Sequence, residues 1–191
     1  MTGRRIKLLV LLASAALAGL TLAAWTQTWY ILDLDGSPSV EATGSTAAPA
    51  LTALALSELV LVGAIAIAGP FFRFVLGALQ VVLGGTIALS AGLAVYSPVA
   101  ASGSVVTKAT GVEGQSSIAE LVTGVEPSVW PIASLVAGVL IAVLGVAIIV
   151  TSRSWPGSTR KYQAIKVEPD PRSRSSVDDW DSLTRGGDPT E

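Results

Sequence analysis

The stretch LTALALSELVLVGAIAIAG, residues 51–69, is almost wholly apolar and carries one carboxylate, Glu58, near its middle. In a soluble core helix Glu58 needs a buried partner. In a membrane span it is the most expensive residue of the chain and the first candidate for function. Little else here could do chemistry. The chain has no histidine and no cysteine. That removes the commonest general base, the commonest metal ligand and every thiolate or disulfide. Neither a Ser–His–Asp nor a Cys–His set can be assembled, so no enzyme is expected. Asp33 and Asp35 would share one face of a strand, but two carboxylates in a turn are ordinarily just solvated, and no metal site is expected there. The GVEG and GG pairs lack the strand-to-helix setting of a phosphate loop. No cofactor is expected.

The elements that hold Glu58 follow from composition. The 191 residues are 51% hydrophobic and 14% charged, with a mean hydropathy of +0.63; a soluble domain carries about 25% charged residues. Four apolar stretches, about 8–24, 50–68, 74–95 and 130–151, approach the roughly 20 residues that cross a bilayer core. The fold class expected is an all-α membrane protein. A four-transmembrane-helix bundle fills residues 1–151, with a small extracellular β-hairpin or sheet, and residues 152–191 form a disordered cytoplasmic tail. Small residues recur every fourth position: Ala15, Gly19 and Ala23; Gly84, Ala88 and Gly92; Gly138 and Ala142. Such spacing lets helix backbones approach in lipid.

Direction follows from Lys and Arg. Arg4, Arg5 and Lys7 precede the first stretch, Arg73 sits in the turn between the second and third, and seven more follow the fourth. Only Lys108 lies on the other side. Both termini are therefore expected in the cytoplasm of a plasma-membrane protein, with the loops 25–49 and 97–129 outside. Trp25, Trp29 and Trp130 are expected to anchor the outer interface and Trp155 the inner one. The first stretch also has features of a signal peptide, a basic start and ALA at residues 16–18, but is read as an uncleaved span.

In the first outer loop, Trp29–Leu32 favours strand, DGSPS is a turn signal, and Val40–Thr43 pairs back. A third strand is expected from SVVTKAT, residues 104–110. Ser117 and Glu120 fit a capping box opening a short helix. Pro131 suits the first turn of the fourth span.

Counted at about 1.5 Å per residue from the inner turn, Glu58 lies about 18 Å deep, and the same climb on the third span arrives near Thr86. Gln80 lies lower on that span. The interior polar set is Glu58, Ser57, Gln80, Thr86, Ser90 and Ser14, with no Lys or Arg inside any span. Glu58 then has three readings. It is a protonated carboxyl hydrogen-bonded to Gln80, to Thr86 or to a second copy of the chain, acting as packing glue. Otherwise it is a proton-coupling or substrate-binding group, or a chance placement beside a water-filled crevice.

The tail is rich in charge, Ser, Pro and Gly and reads as disordered in isolation. One island, DDWDSLTRGGDP, sets Trp180 and Leu183 at i and i+3, a short motif suited to docking a cytoplasmic protein partner. The basic residues of TRKYQAIK suit anionic lipid headgroups, and no nucleic-acid partner is expected.

The basic start running into a first span, TGSTAAPALTALAL opening the second, SRSWPGSTRKY after the fourth and DDWDSLTRGGDPTE at the end together resemble the tryptophan-associated transmembrane proteins of actinobacteria. The resemblance covers nearly the whole chain. It implies a membrane protein linked to tryptophan biosynthesis, and it brings no catalytic motif. Three roles fit: a non-enzymatic accessory or scaffold docking a partner through its tail, a small transporter for tryptophan, indole or a precursor, or an envelope module acting through the outer loops.

Overall fold

Basic Arg4 and Arg5 lead into an unbroken run of Leu and Ala that winds into one helix, α1 (Gly3–Thr26), in the computed structural model, which describes residues 3–152 and Trp155. A two-stranded hairpin follows, β1 (Thr28–Leu34) and β2 (Ser37–Thr43), closed by Asp35–Gly36, a dipeptide suited to a two-residue turn. A single turn, α2 (Gly44–Ala47), leads to α3 (Leu51–Ile67). Then come α4 (Pro70–Tyr96), α5 (Pro98–Thr110), α6 (Gln115–Leu121), β3 (Val122–Pro127) and α7 (Trp130–Thr151). Proline opens α4 and α5 and sits in the first turn of α7, where no intrahelical N–H is needed. The chain divides into residues 1–158 and 159–191, and every described residue belongs to the first unit. The predicted docking pair Trp180 and Leu183 lies outside the described residues.

Helices α1, α4 and α7 are long and apolar enough to cross a membrane; α3, with 17 residues, is shorter. The four form a ring, α1 between α3 and α7, and α4 completing it between α7 and α3. Their outward faces are aliphatic, with Leu8, Leu12, Val60, Leu89 and Val143 exposed, as a lipid-facing surface requires. The seam between α4 and α7 is closest. A Cβ on Gly84 would strike the backbone of Ala142, and one on Gly138 the backbone of Ala88. The small-residue spacing of these two helices therefore marks a true interface. On α1 the same spacing does not: Gly19 has nothing within 4 Å of a built Cβ.

The loops form a cap over one end of the ring. All three strands pair antiparallel in the order β2-β1-β3, so the sheet joins the two loops. The third strand is Val122–Pro127, and residues 104–110 are helical. The β-branched Val105, Val106 and Thr107 favour strand locally. Burial decided otherwise, because Ser102 and Val106, four apart, both face inward. Gly124 and Pro127 disguise the true strand, although an edge position tolerates both. Nor does Ser117 cap α6, which starts two residues earlier behind Gly114 at φ +94°, a conformation glycine supplies without strain.

Candidate functional site

Alanine, glycine and serine on the inner faces let the four helices approach, and larger side chains fill the space in layers. Two apolar clusters form. One joins Leu51, Ile87 and Ile141 to the cap residues Trp29, Tyr30 and Leu32; the other gathers Val10, Leu61, Ile65, Ile148 and Trp155 at the opposite end. Between them lie Ser14 of α1, Glu58 of α3 and Gln80 of α4, all 0% exposed. Gln80 Nε2 donates to Ser14 Oγ at 2.9 Å and lies 3.4 Å from the Ile141 carbonyl of α7. Glu58 is at the same level. It stands nine residues above the end of α3 and Gln80 ten above the start of α4, heights that differ by about 1.5 Å.

The layer is short of donors. Among the described residues neither oxygen of Glu58 has a hydrogen-bond partner, and neither does Gln80 Oε1. A buried polar group left without a partner costs about 1–3 kcal/mol, so the chain maintains three such polar atoms at a cost to its own stability. The predicted hydrogen bond from Glu58 to Gln80 or Thr86 is not made. Thr86 faces outward and bonds back to the Val82 carbonyl at 2.8 Å, and exposed Ser57 does the same to Ala53 at 2.7 Å. Ser134 on α7 is equally buried and has no partner among the described residues. It went unpredicted because a lone serine in an apolar helix carries no sequence signal for its facing.

The end holding α1's start and the α3–α4 turn concentrates positive charge. Helix α4 begins at Pro70, not Phe74, which brings Arg73 into its first turn at 1% exposure. Arg73, expected in the turn between the second and third stretches, therefore lies inside a helix. The Arg73 guanidinium lies 5.6 Å from the Trp155 ring centroid, within cation–π range. Lys7 Nζ donates to the Ala66 carbonyl in the last turn of α3 at 2.7 Å, a favourable place for a cation.

The four anchor tryptophans divide between the two ends. Trp25 and Trp130 are half-buried, Trp155 is buried against Arg73, and Trp29 is wholly buried in the cap, its Nε1 donating to the Ala24 carbonyl at 2.8 Å. Tyr30 Oη donates to the Ala94 carbonyl at 2.9 Å and so ties β1 to the top of α4. Burial pushes the Tyr30 phenol up to about 12, so it remains a neutral donor through the physiological range. Asp33 and Asp35 are exposed, and no cluster of three or more His, Cys, Asp or Glu forms among the described residues.

A family model described as tryptophan-associated transmembrane protein matches residues 7–190. No curated protein and no solved structure matches the chain.

Proposed function

The chain belongs to the tryptophan-associated transmembrane protein family, and from that premise we propose that it is a non-enzymatic accessory of tryptophan metabolism, a four-span platform in the plasma membrane. On this reading α3 is the fourth span. Its 17 residues fall at the short end of what crosses a bilayer core, and Lys7 of α1 holds its base through the Ala66 carbonyl. Arg4, Arg5, Lys7 and Arg73 mark the cytoplasmic end, and the sheet-bearing cap lies outside. The tail then displays Trp180 and Leu183 to a cytoplasmic partner.

The observation that carries this reading is the locked body. Helices α4 and α7 meet backbone to backbone at Gly84 and Gly138, and the cap is fastened to α4 through Tyr30. A carrier that alternates access needs one bundle to rock against another, and these contacts favour a fixed frame instead. The test is genetic. Deleting the gene should leave labelled tryptophan and indole flux across the membrane unchanged. Removing residues 165–191 alone should reproduce the deletion phenotype while the protein still reaches the membrane. A change in flux with synthesis unaltered would replace the accessory reading with transport.

A further inference from the structure

We infer that the layer of Glu58 and Gln80, reached through the seam between α3 and α4, binds one small apolar molecule that carries an N–H or ammonium donor. Two independent observations point to it. The first is the hydrogen-bond inventory. Glu58 Oε1 and Oε2 and Gln80 Oε1 are buried without a partner among the described residues. The Gln80 oxygen and at least one Glu58 oxygen are acceptors whether or not the carboxyl is protonated, while the Gln80 amide nitrogen is already engaged with Ser14 and Ile141. What the layer lacks is a donor, and a ligand can supply one.

The second is a groove of about 560 Å³ on the lipid-facing side of the α3–α4 seam, within the usual size of small-molecule sites. Its rim includes the exposed Leu56, Val60 and Leu79. Its walls include Leu61 and Leu83, each one turn along from Glu58 and Gln80. Those two lie wholly buried behind that wall and outside the groove's own lining, so a ligand's donor reaches them only by passing between the two leucines. The α3–α4 seam is also the loosest of the four in the ring, opposite in character to the glycine-locked α4–α7 seam. The lining is almost entirely apolar. A hydrated cation would have to shed its water along that route, and hard cations want six or more oxygens. A molecule with an apolar body and one donor meets both the route and the layer. This inference stands apart from the accessory reading, because a bound ligand can act as a signal to a platform.

The test uses the full-length protein in lipid nanodiscs with tritiated indole as probe. Benzothiophene, which has the same shape without the N–H, and tryptamine, which adds an ammonium, serve as competitors. Saturable indole binding is expected, with benzothiophene competing at least tenfold more weakly, because a site built for a donor rejects an analogue lacking it. Tryptamine outcompeting indole assigns the donor as ammonium; the reverse assigns it as neutral N–H. The isosteric Glu58→Gln should weaken binding at least tenfold. Leu79→Trp, which fills the groove from its exposed rim and leaves the layer intact, should abolish it. Equal competition by indole and benzothiophene would overturn the inference and make the groove a seat for acyl chains. So would labelled sodium binding that Glu58→Gln removes while indole fails to bind. Since binding is read on purified protein, failure here leaves the flux and truncation experiments free to decide the accessory role separately.

Discussion

Tyr30 and Glu58 are both buried polar side chains, and they are handled in opposite ways. Tyr30 has its partner, the Ala94 carbonyl. Tyr30→Phe should lower the stability of the cap by about 1 kcal/mol, the usual net worth of one hydrogen bond, read by hydrogen exchange at β1. Its phenol is raised from 10.0 to about 12 by burial. A raised acid is stabilising below its unfolded value, and that stability is lost as the pH climbs from 10 through 12. The alkaline loss between those values should therefore be shallower in Tyr30→Phe. Glu58 has no such partner among the described residues. Glu58→Leu should raise the midpoint of thermal unfolding in nanodiscs by the equivalent of about 1–3 kcal/mol. A fall in the midpoint would mean that the carboxyl acts as packing glue after all. The sequence singled out Glu58 because a charge inside an apolar run is visible by eye. It could not separate inward Gln80 from outward Thr86, because every turn of a lipid-facing helix is apolar all round and helical periodicity is blunted.

At the scale of elements, the long helices and the hairpin were legible. Length and hydropathy set the helices, and Asp-Gly between strand formers set the hairpin. The third strand and α5 were not, because their identities depend on partners distant in the chain. Residues 122–127 become a strand only because β1 offers its free edge, with Tyr30 opposite Pro127 and Ile31 opposite Glu126. The α4–α7 seam makes a sharp prediction. Gly138→Leu drives a side chain into the Ala88 backbone and should destabilise the bundle by more than about 2 kcal/mol, since the obstacle is backbone and cannot rotate away. Gly63→Ala, with nothing within 4 Å of the built Cβ, should be neutral or slightly stabilising because alanine is the better helix former. Unfolding of both variants in mild denaturant reports the difference.

For the whole molecule the prediction concerns sidedness. The chain has no cysteine, so single cysteines can be placed without background. Ser37→Cys and Ser116→Cys, on the cap, should react with a membrane-impermeant thiol reagent on intact cells. Gly69→Cys and Ser158→Cys should react only after permeabilisation. Labelling of Gly69→Cys from outside would overturn the four-span arrangement. Taken alone, the sequence determined that this is a membrane protein built of apolar helices, which way its basic residues bias it, and that one carboxylate is out of place. Those properties are sums over local residues: hydropathy, length and charge. Only the tertiary structure decided which small-residue stripes become a seam, which strand completes the sheet, and that Arg73 and Trp155 share the buried base. It also decided that Ser14, Glu58 and Gln80 share one layer with three polar atoms unpartnered among the described residues. A hydrogen bond is a pairwise fact between helices, and no single stretch of chain contains it.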